Sequence, residues 1–281
     1  MNDIEVVTPS FRHNLTQSYY LSGRLCTTGL SFCVLDPVSN TYVAYGLMNL
    51  EKPDSHFARQ EELLLTHEIF THEYKEVAFS IDTERFTLVP QMLYDERHND
   101  EIMHFIGFDV QADELTLHNE IELSGATMLF AMPQFLYYFI LSKWPEAKIF
   151  HTATPTIQSM LMKRTETEVT NVVNACFKNN ALLLTATEKN TLKLCNEYQC
   201  RETNDYVYML MNAIEQLGFK VDETQIILEG NLQRDDEREM LIERFAKHVR
   251  RATLPQFFNY AFTMPHEAYR LSNLFTTAIC V

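Results

Sequence analysis

Glycine is scarce in this chain. Seven occur in 281 residues, where ordinary usage of roughly 7% would supply about 20. Loops that wrap phosphate groups depend on glycine for positive φ and for close backbone approach, so few positions here can build one. Basic residues are also short, 23 against 38 acidic, for a net charge of -15. That balance removes the counterion release that drives binding to nucleic acid and anionic membranes. The strongest local exception, "KHVRR" (Lys247 to Arg251), follows "DDERE" and reads as the cationic end of one helix, matched to its dipole. Long apolar runs are missing too. The most lipid-like stretch, "ATMLFAMPQFLYYFIL", is broken by Pro133 and Gln134 and falls short of the ~20 apolar residues of a spanning helix. The opening "MNDIEVVTPSF" has no basic segment followed by an apolar one, so no secretory signal is expected. Six cysteines (Cys26, Cys33, Cys176, Cys195, Cys200, Cys280) form no CxxC pair. The pattern is neither that of a zinc site nor that of a disulfide framework. Free thiols of a cytoplasmic protein are expected, most of them inert in apolar strands.

What is present is a repeated order of elements. "YYLSGRLCTT", "GLSFCVLDPVSN" and "TYVAYGLMNL" are rich in aromatic and β-branched residues and predict a three-stranded meander. "HFARQEELLLTHEIFTHEY" predicts a partly amphipathic helix, and "EVAFSID" a buried strand. About 150 residues later "TNVVNACFKN", "NALLLTATEKN" and "TLKLCNEYQC" repeat the meander, "TNDYVYMLMNAIEQLG" the helix and "TQIILEGNL" the strand. Asn40-Thr41 and Asn190-Thr191 open the third strand of each copy. The second helix is the better defined, with Thr203 as its N-cap, Gly218 at its end and Tyr206, Leu210, Ile214 and Leu217 on one stripe.

Between the copies, "PQMLYDERHNDEIMHFI" predicts a helix starting at Pro90. "DELTLHNEIEL" and "ATMLFAM" predict a strand pair, and "PQFLYYFILSKW" a helix. "AKIFHTAT" predicts a strand and "PTIQSMLMKR" a helix. After the second copy, "DDEREMLIERFAKHVRR" predicts a helix with Leu241, Phe245 and Val249 on one face. The apolar tail is expected to pack back on the body. These elements divide into a first lobe over 1–165 and a second over 166–281, all in the α/β class.

Two successive units of meander, helix and strand resemble the actin-like ATPase fold, a duplicated ribonuclease H-like architecture of two lobes, each a mixed sheet flanked by helices. "LSGRLCTTGLSFCVLDP", "FTLVPQMLYDE", "MPQFLYYFILSKWPEAKIFHTAT" and "VVNACFKNNALLLTATEKNTLKLCNEY" together resemble a family of unknown function from Bacteroidetes, over residues 15 to 275. The resemblance implies a degenerate actin-like fold of the kind seen in pilus and secretion assembly proteins, and a protein partner.

An active member of the group carries Asp-x-Gly followed by Ser or Thr in its first hairpin, the carboxylate organising hydrated Mg²⁺ and the backbone cradling phosphates. If Gly29 is that glycine, the acid slot is Thr27. If the turn is registered on Thr27 and Thr28, the slot falls near Arg24. Neither register supplies an acid, and the matching hairpin "NACFKNNALLL" has no Asp, Glu or Gly. The adenosine-binding glycines would fall near "ILEGNL", where Gly230 stands alone. The resemblance thus leaves Thr27, Thr28, Gly29 and Gly230 as the residues a bound nucleotide would use, and implies a non-catalytic protein with no cofactor. A divergent ATP-binding switch and a subunit of an envelope or secretion assembly are the alternatives.

Two further patterns lead elsewhere. Asp36, Asp82 and Asp109 fall at strand ends or turns, where Asp serves local hydrogen bonding, and the first strand lacks the carboxylate a two-metal nuclease needs. In "THEIFTHEY", His67 and His72 lie five residues apart, about 140° around a helix. They cannot share a metal there and are expected to face solvent. Tyr137 and Tyr138 in "FLYYF" are read as core. No G-x-S-x-G occurs.

Overall fold

Short apolar runs bounded by turn residues extend into strands, and in the computed structural model of the protein they do so twice in one order. Residues 3–27, 29–49, 56–162, 170–263 and 270–280 are described. The chain begins with β1 (Ile4–Val7), then the meander β2 (Tyr20–Cys26), β3 (Gly29–Asp36) and β4 (Thr41–Asn49). Helices α1 (His56–Thr66) and α2 (Glu68–Thr71) lead to β5 (Glu76–Ile81). An inserted unit follows, with β6 (Phe86–Pro90), α3 (Asn99–Phe105), β7 (Glu114–Ile121), β8 (Ala126–Pro133) and α4 (Gln134–Lys143). Strand β9 (Lys148–His151) and helix α5 (Ala153–Met162) close the first half. The second half repeats the meander as β10 (Asn171–Lys178), β11 (Ala181–Glu188) and β12 (Thr191–Gln199), with α6 (Thr203–Gln216) and β13 (Thr224–Gly230) after it. Helix α7 (Glu237–Ile242), β14 (Val249–Arg251) and β15 (Asn259–Tyr260) complete the strands and α-helices.

The duplication is complete at the level of the sheets. One runs β4-β3-β2-β5-β9, extended by β1 and β15 at the β4 edge, and the other runs β12-β11-β10-β13-β14. In each, the meander is antiparallel and its first strand lies parallel to the strand after the helix. The inserted strands form a third sheet, β6-β8-β7. The Asn-Thr echo has a backbone cause: Asn40 and Asn190 hold φ of 52° and 63°, the left-handed conformation that asparagine tolerates in a turn.

Two of the seven glycines serve packing across the first sheet. Phe79, Gly23, Phe32 and Gly46 lie side by side on β5, β2, β3 and β4. A Cβ on Gly23 would stand 2.4 Å from the Phe79 ring, and one on Gly46 would stand 2.4 Å from the Phe32 ring. The rings therefore occupy the space that side chains at the glycines would take, and they contact Trp144 and Phe70 on the way to the core.

Helix α5 is buried along almost its whole length. Ala153, Ile157 and Leu161 share one apolar cluster with Cys176 and Leu183 of the second sheet, so the two lobes share a core. The segment around Leu271, Leu274 and Phe275 packs against Cys33, Leu35, Tyr42 and Tyr45 of the first sheet, while β15 pairs with β4. The expected lobe boundary at 165/166 lies outside the described residues. Among the described residues no helix is long and apolar enough to cross a membrane.

The structure differs from the sequence reading in local places. Pro90 ends β6, and only 99–105 beyond it is α-helical. The helix expected over 235–251 stops at Ile242, because β13 takes Val249–Arg251 as a parallel edge strand. "KHVRR" is thus not a helix end. Phe245 is exposed rather than on a buried face, and Tyr138 is likewise exposed on α4. The N-cap of α6 is Glu202, in a reciprocal capping box with Asp205, one residue before Thr203.

The inserted sheet is joined to the first by buried polar groups. Asn119 of β7 accepts the His151 N–H and the Thr154 hydroxyl, and donates to the Ile149 carbonyl. His151 is fully buried, stacked on Phe86 at 4.2 Å. Its Nδ1 accepts from the Ala153 N–H at 3.2 Å, which makes Nε2 the donor to the Thr83 carbonyl at 2.9 Å. Burial, aided by nearby Lys178, pushes this imidazole down to about 4. The unfolded chain takes up the proton near pH 6.5 and the folded chain does not until about pH 4, so stability falls as pH falls between them. The contribution is about 2 kcal/mol between pH 7 and pH 5. His151→Gln is expected to remove about that much of the pH 7 to pH 5 stability loss in urea titrations, and an undiminished loss would contradict the assignment.

Candidate functional site

The equivalent strands β2 and β10 bring the two hairpins to the junction of the lobes, each with a basic residue. Arg24 stands within β2, and Lys178 is the last residue of β10. Asp82, just after β5, is fixed by its backbone N–H on the Leu25 carbonyl at 2.9 Å. Its carboxylate meets both cations, with Arg24 Nη2 at 3.0 Å on Oδ2 and Lys178 Nζ on Oδ1. Lys178 also donates to Glu197 of β12 at 2.5 Å, and Arg24 donates to Asn273 of the C-terminal segment at 3.3 Å. These four charged side chains are 8–15% exposed.

The network is neutral, two cations against two anions. Burial alone would push the Asp82 carboxyl up, but Lys178 and Arg24 outweigh it and hold it well below the usual carboxylate range. Burial likewise works against the charge on Lys178, yet Asp82 and Glu197 raise its affinity for the proton. Glu197 is pushed up by burial in spite of Lys178. All charge-bearing partners lie far apart in sequence, and Asp82 to Lys178 ties one lobe to the other. Gln199 to Glu84, at 2.6 Å, adds a second link.

The residues expected to meet a nucleotide flank this network. Thr27 is exposed at the tip of the first hairpin, and Thr28 lies outside the described residues. Gly29 is buried, where a Cβ would stand 2.4 Å from the Met48 carbonyl oxygen. Its place in the sheet therefore already requires glycine. Gln60 of α1 donates to the Cys26 and Gly29 carbonyls and pins the turn. Gly230 has φ of +86°, and a Cβ there would stand 2.4 Å from the Phe177 carbonyl oxygen. It shapes the chain beside the second hairpin. In either register the acid slot of the first hairpin lacks a carboxylate: Thr27 is exposed and Arg24 is a largely buried cation. Asp36 instead accepts the Val38 N–H and the Ser39 hydroxyl in its own turn, and Asp109 is exposed beside His104, so neither joins Asp82.

Sequence reasoning passed over Lys178 and Glu197. The available signal was a lysine closing an otherwise apolar strand, matched by an arginine inside another. Behind the network, a cavity of about 210 Å³ opens between α5, the second sheet and the C-terminal segment. Thr156, Ser159, Asn174 and Thr187 line it, each more than nine-tenths buried. Their side chains make no hydrogen bond to any described residue. Glu229, on the same wall, accepts the Ser272 hydroxyl at 2.7 Å.

The fold is that of known actin-like proteins. A Bacteroides thetaiotaomicron protein with actin-like ATPase fold and unknown function superposes with a TM-score of 0.79 at 21% identity, covering 86% of this chain and 93% of that one. A chain of the PilM-PilN type IV pilus biogenesis complex gives 0.62 at 9% identity, covering 93% and 96%. The ethanolamine utilization protein EutJ from Carboxydothermus hydrogenoformans gives 0.53 at 9% identity, covering 98% and 93%. No curated protein matches the sequence. Residues 9–249 match the family described as "Protein of unknown function (DUF3822)", and the chain belongs to that family.

Proposed function

We propose that this chain is a non-catalytic actin-like scaffold or protein-binding module of the cytoplasm, with its lobes joined by an ion network where a nucleotide would otherwise join them. The observation that carries this reading is the cation in each hairpin. Hydrated Mg²⁺ needs free carboxylates, and Asp82 and Glu197 are already committed to Arg24 and Lys178. Nor do the two cations form a free polyphosphate clamp, since Asp82 and Glu197 already neutralise them. A protein partner is supported by exposed apolar side chains on the inserted unit, where Met92, Leu93 and Phe105 are 97%, 75% and 89% exposed. The fold shared with a chain of a pilus biogenesis complex is consistent with an assembly role, as analogy.

Calorimetric titration with ATP and Mg²⁺ is expected to give no heat at millimolar nucleotide, with folding confirmed by circular dichroism. A one-to-one isotherm at micromolar affinity would overturn the reading in favour of a nucleotide switch. Gly29 is unsuitable for a control variant because any side chain there collides with β4.

A second reading, a module responsive to a small polar ligand, is favoured by the polar side chains of Thr156, Ser159, Asn174 and Thr187, which face the cavity. Such groups are satisfied by water or by a bound ligand. Thr187→Val, nearly isosteric, is expected to leave the stability of the free protein within about 1 kcal/mol of the wild type. A larger loss of stability in urea unfolding would show that the hydroxyl is already satisfied within the protein and would remove the argument for a ligand.

A further inference from the structure

The histidines of "THEIFTHEY" separate in the structure. The helix breaks at His67, which becomes the N-cap of α2, and His72 follows that helix as its C-cap. His67 turns inward against Phe32 and beside Glu5, with 18% of its side chain exposed, so it is not solvent-facing. His72 turns the other way and meets two groups the sequence pattern does not connect with it: His13, before β2, and Glu68, four residues earlier.

We propose that His13, Glu68 and His72 form a zinc site. His13 Nδ1 lies 3.3 Å from His72 Nε2 and 3.5 Å from Glu68 Oε1, and one ligand atom from each residue lies within 4.8 Å of the others. Ligands about 2.05 Å from a tetrahedral zinc stand about 3.3 Å from one another, so two of the three edges already have the length the ion requires. Glu68 is exposed and free to rotate its carboxylate the remaining distance. Two imidazoles and one carboxylate are a donor set of tetrahedral zinc sites and leave a fourth position open to water or to a partner's side chain.

The site is built independently of the ion. Buried Phe11 packs edge-on against His13 at 5.0 Å and lies 6.3 Å from His72, orienting both rings. Gln17 bonds to Glu73 at 2.7 Å and ties the same two segments together. Zinc would add a staple between the segment preceding β2 and α2.

The test is zinc retention by untagged full-length protein after dialysis, measured by elemental analysis, with the visible spectrum of the cobalt-substituted protein reporting geometry. One zinc per chain, a tetrahedral cobalt spectrum, and affinity at least about tenfold weaker in His13→Ala and His72→Ala are expected. His104→Ala, at another exposed histidine, is expected to bind as the wild type does. Zinc that washes out of the wild-type protein, or stays equally in His72→Ala with its fold confirmed by circular dichroism, would overturn the site and leave an ordinary contact between two histidines.

Discussion

Arg24, Asp82, Lys178 and Glu197 meet where the two hairpins approach, and through Asp82 and Lys178 they tie the lobes together. Charges this far from solvent are costly to bury, and the cost is offset only when each has a close partner of opposite sign. Asp82 has two, Lys178 has two, and Arg24 adds Asn273. Separating the lobes would strip Asp82 of Lys178 and leave Lys178 with Glu197 alone.

The surrounding packing supports the same arrangement. Helix α5 gives its apolar face to both lobes, and the C-terminal segment returns to the first sheet while contributing Asn273 to the network and Ser272 to Glu229. The Phe79 and Phe32 rings packed against Gly23 and Gly46 make a close-packed first sheet on which the first hairpin stands. Few glycines are needed because the turns use asparagine: Asn40, Asn180 and Asn190 all hold positive φ. Of the seven that remain, Gly23, Gly29, Gly46 and Gly230 stand where any side chain would collide.

The duplicated architecture was legible because each unit carries its own local signals: apolar strands of similar length and an asparagine turn before the third strand, joined in the second unit by a striped helix ended by Gly218. The edge strand Val249–Arg251 was not legible. Local helical periodicity over 235–251 competes there with the open edge of β13, and only the folded sheet reveals that edge. The network was hidden for a related reason. Asp82 finds Arg24 across 58 residues and Lys178 across 96, distances at which no periodicity speaks. The absence of acids in both hairpins was plain in the sequence, but Arg24 and Lys178 acquire meaning only once the hairpins face each other. His72 is a similar case, since its neighbour His13 lies 59 residues away.

The most direct test of a built-in latch is the distribution of distances between the lobes. Spin labels at exposed Val38 and Tyr208 would report it by pulsed electron resonance. A single narrow distribution is predicted for the wild-type protein, unchanged by ATP and Mg²⁺, and a broader one for Lys178→Met. Two populations in the wild type, a shift on adding nucleotide, or an unaltered distribution in Lys178→Met would contradict the account.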